Sequence, residues 1–102
     1  MIEVHETLAF RRWHAQLRDD VARSLIVARI ERLRRGSAGD VRPVGGGVME
    51  LRVHYGAGYR VYFMRSGRSV LLLLAGGDKR SQNRDIARAR QLAQALREEW
   101  QT

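Results

Sequence analysis

Between Val48 and Gln82, the residues Arg52, His54, Arg60 and Tyr62 alternate with apolar side chains, and Asp78, Lys79 and Arg80 follow the last apolar run. A period of two puts the first four on one face of a strand pair. Cations with a histidine and a tyrosine suit phosphodiester chemistry on RNA. That reaction removes a proton from a 2′-hydroxyl, stabilises a dianionic pentacoordinate phosphorus and protonates a 5′-oxygen leaving group. Arginine forks match phosphate oxygens two at a time, and their effect grows where water is excluded. Histidine or a perturbed lysine can move protons, and tyrosine can donate a hydrogen bond or stack on a base. Two arginines on adjacent strands repel, so bringing them together without an anion is costly. That favours a binding role for Arg52 and Arg60 over an ordinary solvated sheet face.

Other chemistries find less support. The histidines His5, His14 and His54 fall on different segments and there is no cysteine, so no metal or other cofactor is expected. No serine or threonine stands in a glycine-flanked elbow or beside a base and an orienting acid. The triple glycine Gly45 to Gly47 lacks the lysine–serine/threonine ending of a P-loop and the spacing of a dinucleotide fingerprint.

The chain has 102 residues, the length of one domain with a modest core, so residues 1–102 are expected to form a single unit. Its net charge of +8 and pI of about 11.3 are the footprint of a polyanion binder, nucleic acid above all. Almost all of that charge is arginine, and Lys79 is the sole lysine. No secretion signal follows Met1, and the apolar run Val70 to Ala75 is too short to span a bilayer. A cytoplasmic protein without a membrane partner is expected.

The supporting elements read as follows. Ile2 to Glu6 alternates like a short strand. Thr7 caps a helix whose apolar face is Phe10, Trp13 and Leu17. Asp19 and Asp20 end it and cap a second helix over Val21 to Arg35, closed by Gly36. Its stripe is Ala22, Ile26, Ile30 and Leu33, widened by Leu25 and Ala28, with Arg23, Arg29 and Arg32 in solvent. Gly36 to Gly47, with the only proline, is expected as a loop. Met49 to Tyr55 and Tyr59 to Met64 form a hairpin around Gly56-Ala57-Gly58. Val61 and Phe63 share the core side with Met49, Leu51, Val53 and Tyr55. A turn at Arg65 to Arg68 leads to Ser69–Ala75, whose unbroken apolar character predicts a central strand buried on both faces. Ser81 caps a final helix with Asp85 in its first turn and Ile86, Ala89, Ala93, Leu96 and Trp100 along one side. The order β-α-α-β-β-β-α predicts an α+β fold: a twisted, mostly antiparallel sheet packed against an N-terminal helical hairpin and a C-terminal helix. The face carrying Arg52, His54, Arg60 and Tyr62 is expected to stay uncovered, so that loss of the Arg60 side chain would spare the fold.

The segments GDVRPVGGGVMELRVHYGAGYRVYF and LLLLAGGDKRSQNRDIARA, with weaker agreement through WHAQLRDDVARSLIVARIERL, resemble the RelE/ParE superfamily of type II toxin–antitoxin toxins. The likeness is greatest to its HigB-like "addiction module killer protein" group. It implies a RelE-like fold and a bacterial, metal-independent endoribonuclease that cuts mRNA on the ribosome through the 2′-hydroxyl. It carries over Arg52 of ELR and Arg60 of GYR as phosphate-stabilising groups, and Lys79 of GGDK for charge stabilisation or proton transfer. Arg65, Arg80 and Gln82 are the expected RNA contacts. Several ribosome-dependent relatives carry a catalytic tyrosine or histidine near the C-terminus. None is present here, so the general base stays open among His54, Tyr62 and Asp78. The implied protein partner is a helix-turn-helix antitoxin, through which operator DNA would be bound. Two other activities fit the same superfamily: a ParE-like, non-enzymatic inhibitor of DNA gyrase, and a catalytically inactive corepressor.

Overall fold

A computed structural model describes the backbone of residues 2–101 and the side chains of residues 2–99. The strand β1 (Glu3–Glu6) leads into α1 (Leu8–Gln16) and α2 (Asp20–Arg34). Four strands follow: β2 (Val41–Gly45), β3 (Val48–Val53), β4 (Tyr59–Ser66) and β5 (Val70–Gly77). The last element is α3 (Gln82–Gln101). The strands form one sheet in the order β1-β5-β4-β3-β2. Only the β1–β5 pair is parallel. The α+β class and the mostly antiparallel sheet are as expected, with one more strand than the sequence suggested.

Local chemistry explains the helix starts. The Thr7 hydroxyl accepts from the Phe10 N–H, and the Asp19 carboxylate accepts from the Ala22 N–H. Both satisfy a donor that the first turn leaves without a partner. Before α3, the Asp78 Oδ1 accepts from the N–H groups of Arg80 and Ser81, which holds the turn that leads into the helix. Ser81 joins that turn to the first helical turn: its hydroxyl accepts from the Asp78 N–H and donates to Asp85, and its carbonyl accepts from the Asp85 N–H.

The hairpin register follows the alternation. Met49 lies opposite Phe63, Leu51 opposite Val61, Glu50 opposite Tyr62 and Arg52 opposite Arg60. Leu51, Val53, Val61 and Phe63 pack with Phe10, Ile26 and Leu33 on the α1/α2 side. Leu71 and Leu73 face that side while Leu72 and Leu74 face the other, so β5 is buried on both faces as its composition predicts.

Four expectations are corrected. First, the Gly36–Gly47 segment is not all loop. Val41–Gly45 is an edge strand, tolerated despite Pro43 because an edge has one side free of the ladder. Gly46 and Gly47 form its turn into β3, both at positive φ as a type I′ two-residue hairpin requires. Second, Leu25 and Ala28 face solvent rather than widening the buried stripe of α2. Third, Arg29 is not on a solvated face. Its Nη1 donates to the Arg52 carbonyl at 2.7 Å and its Nη2 to that of Ala38 at 3.4 Å. Burial, then repulsion from Arg32, lowers its pKa against the pull of Asp40. Fourth, the face opposite α1 and α2 is covered. Ile86, Ala89, Ala93 and Leu96 of α3 pack on Val48, Tyr62, Met64, Leu72 and Leu74. The Trp100 side chain lies outside the described residues.

Gly76 marks a close contact between the sheet and α1. A Cβ there would lie 2.1 Å from the Trp13 ring. Gly76→Ala is expected to lower unfolding free energy by about 1–3 kcal/mol, the usual cost of overpacking. Urea unfolding measures it, and a midpoint equal to that of the parent protein would refute this packing account.

Candidate functional site

The polar residues of β3 and β4 converge on a carboxylate. Glu50 is 1% exposed, between β3 and the start of α3. Arg52 Nε donates to its Oε1 at 2.8 Å. Its Oε2 accepts from Gln82 Nε2 at 2.9 Å and from the Tyr62 hydroxyl at 3.1 Å. Arg60 Nε approaches Oε2 to 3.6 Å, an ion pair without a hydrogen bond. Burial pushes the Glu50 carboxyl up. The bonds from Arg52, Gln82 and Tyr62, with the Arg52 charge, outweigh that and hold it below its ordinary value. The same pair raises Arg52. The anion demanded by two adjacent arginines is therefore supplied within the chain. Glu50 was legible only as a polar alternating position, and the signal was the arginine repulsion itself.

Strand register and the Gly56–Gly58 turn set what lies around this centre. Arg60 Nη1 donates to the Gly58 carbonyl at 2.8 Å, leaving its buried Nε without a hydrogen-bond partner among the described residues. Lys79 is exposed, and its N–H donates to the Ala57 carbonyl at 3.3 Å. A Cβ on Gly58 would lie 3.4 Å from the Lys79 Cβ and 3.5 Å from Arg60 Nη1. Arg60 and Lys79 thus border the same turn. Arg60 is only 8% exposed, which corrects the expectation that it stands clear of the packed interior.

The remaining positions separate. Tyr62 is fully buried under α3, and burial followed by the Glu50 charge raises its pKa far above the usual phenol range. The Gln82 amide is held by Glu50, and Asp78 holds the start of α3. Arg80 is exposed beside Lys79. Arg65 lies at the far end of β4, opposite Leu71, whereas Arg60 lies opposite Gly77. Five residues at about 3.3 Å each set the two arginines roughly 16 Å apart along the strand. Arg65 also borders Leu33, Met49 and Phe63, on the α1/α2 side. The exposed His54 ring pairs instead with Asp40, Nε2 to Oδ2 at 2.6 Å. Asp40, absent from the sequence-level set, also approaches Arg42. The His54 hydrogen bond leads in holding its carboxyl below the ordinary range; burial opposes it, and the Arg42, His54 and Arg52 charges assist.

No described helix is long and apolar enough to cross a membrane. The family described as "Phage derived protein Gp49-like (DUF891)" matches residues 9–97. An uncharacterized protein of Haemophilus influenzae (strain Rd) is 43% identical over 95 residues, covering 93% of this chain and 96% of that protein. The chain belongs to the Gp49-like family of phage-derived proteins, a toxin family of the RelE/addiction-module-killer kind.

Proposed function

We propose that this chain is the single-domain, HigB-like toxin of a type II toxin–antitoxin pair, an endoribonuclease that cuts mRNA on the ribosome. The reading is supported chiefly by Arg60 and Lys79 at one glycine turn, with Arg52 opposite Arg60 on the neighbouring strand. An RNA phosphate placed against that turn meets Lys79 and the edge of the Arg60 fork, with Arg52 beside it on β3. As the 2′-oxygen attacks, those cations take up the charge growing on the phosphoryl oxygens. As the bond from phosphorus to the 5′-oxygen breaks, that oxygen takes a proton from solvent water, giving a cyclic phosphate and a 5′-hydroxyl.

Among the three open candidates, His54 fits the proton-moving role best. Tyr62 is buried and donates to Glu50, and the Asp78 Oδ1 accepts two backbone N–H groups. With Asp40 ionised, His54 Nε2–H donates to it and the Nδ1 lone pair is left to accept the 2′-hydroxyl proton. His54 follows Arg52 by two residues, about 6–7 Å along an extended chain. The protein acts in the cytoplasm, and its partner is a helix-turn-helix antitoxin that covers the basic surface and carries it to operator DNA.

One observation favours a second reading. Glu50 already neutralises part of the arginine pair, as it would in a member that binds gyrase or serves only as corepressor. Induced expression with mapping of cellular RNA 5′ ends separates these. Cleavage is expected inside translated messages. Intact messages with growth arrest and double-strand DNA breaks would point to gyrase, and harmless expression to the corepressor.

A further inference from the structure

A second surface adjoins this site. An open cleft of about 930 Å³ lies between α1 and the first half of α3, over the end of β5. Pairing of β1 with β5 stops at Leu73, where the Thr7 N–H donates to the Leu73 carbonyl and the chain turns into α1. The cleft floor is therefore the strand edge 75–77, carrying no side chain larger than a methyl group. Arg12 of α1 and Arg84 and Arg88 of α3 line the walls, Arg80 stands at the rim, and Trp13 and Tyr59 contribute aromatic surface.

Three features identify what this cleft accepts. All four arginines are exposed, and none has a carboxylate within ion-pair distance among the described residues. Two acids border the cleft, but Asp78 accepts from the Arg80 and Ser81 N–H groups and Asp85 from the Ser81 hydroxyl. The local charge favours an anion. Arg84 and Arg88 are one helical turn apart, roughly 6 Å along the axis, so they can meet successive anionic groups. Trp13 packs against Gly76 and Phe10 yet still borders the cleft, a rigid ring on which a planar base can stack. A peptide strand added to β5 fits less well, because three free residues are shorter than an ordinary strand pairing.

The cleft also continues the site already described. Tyr59 precedes Arg60, and Asp78 and Arg80 flank Lys79. Gln82, in the first turn of α3, reaches Glu50, while Arg84 and Arg88 border the cleft. We propose that this cleft is a flanking-nucleotide subsite for single-stranded RNA. The nucleotide adjoining the scissile phosphate stacks its base on Trp13 and Tyr59 and sets its phosphates on Arg84 and Arg88. The assignment rests on the RNA-cleavage reading for its substrate, but binding tests it apart from cleavage.

The probe is a fluorescein-labelled, random-sequence 12-nucleotide RNA and its all-deoxy counterpart, which lacks the 2′-hydroxyl and cannot be cleaved by this route. Anisotropy is measured across a salt series for the full chain and for the exposed-face variant Arg84→Gln/Arg88→Gln. The variant is expected to bind the deoxy probe at least tenfold more weakly. Its log–log salt slope should be shallower by about 1.4, at 0.7 per single-strand phosphate contact. In a Trp100→Phe background, which leaves Trp13 the only tryptophan, bound probe should quench the fluorescence, and Arg84→Gln/Arg88→Gln should lose the quench at the same probe concentration. If the double variant fails to fold by circular dichroism, Arg88→Gln alone takes its place, with weaker binding and a slope shallower by about 0.7 expected. Unchanged affinity and slope, or an unquenched Trp13 in a saturated complex, would overturn the subsite even if RNA is cut. A wild-type chain that binds the probe through Arg84 and Arg88, while its induced expression leaves translated messages intact, supports the subsite and refutes the nuclease reading.

Discussion

Replacing Glu50 by alanine is expected to lower the unfolding free energy by about 3–5 kcal/mol, the usual cost of removing one partner of a buried ion pair. Three donors converge on that carboxylate, and α3 seals it from solvent. Alanine would leave the Tyr62 hydroxyl buried without its acceptor and two guanidinium groups facing each other across β3 and β4. Glu50→Gln should cost less, because it keeps one acceptor oxygen. Urea unfolding at neutral pH measures both. The pH dependence has a definite sign. Glu50 titrates lower in the folded chain than unfolded, so its contribution is complete above the ordinary carboxylate range. It fades as pH falls through and below that range. Glu50→Gln should flatten this part of the acid limb. Alanine at 50 with parental stability, or an unchanged acid limb in the glutamine variant, would show that the cluster contributes little to folding.

Lys79→Ala is expected to slow RNA cleavage roughly a hundred- to thousandfold, equivalent to about 2.7–4 kcal/mol of lost transition-state stabilisation, with the melting temperature unchanged. Lys79 is exposed, so little packing is lost with it. Arg60→Ala should slow cleavage by a similar factor and also destabilise the fold, because Arg60 is buried against Glu50. The stability loss should be smaller than for Glu50→Ala, since Arg52, Gln82 and Tyr62 still satisfy the carboxylate. The pair of variants separates chemistry from folding. Single-turnover cleavage of a labelled message, together with thermal unfolding, reads both effects. A Lys79→Ala protein that cuts at the parental rate would remove Lys79 from the mechanism and weaken the whole assignment of the turn.

Much of the fold was legible because patterning is local. The alternation of Met49, Leu51 and Val53 set the face of β3, and hairpin geometry then set the face of Val61 and Phe63. Thr7 and Asp19 cap where a helix leaves a donor unsatisfied. The strand β2 was hidden because Pro43 and flanking glycines are breakers in general, yet an edge position tolerates them. Leu25 was misplaced because helical spacing identifies a stripe but not its width, which depends on what packs opposite.

The sequence by itself determined the cationic character of the chain, the alternating placement of Arg52, His54, Arg60 and Tyr62, the lone lysine after β5 and the family resemblance. Each depends on residue type and short-range spacing. Only the tertiary structure decided that α3 closes over this face, that Glu50 lies between the arginines and that Arg65 stands on the opposite side of the sheet. It also brought Arg12 of α1 and Arg84 and Arg88 of α3 to one cleft. Such placements depend on which helix covers which face and on the crossing of elements far apart in the chain. Side-chain periodicity carries no record of either, because it specifies a direction from the backbone and not the partner that occupies it.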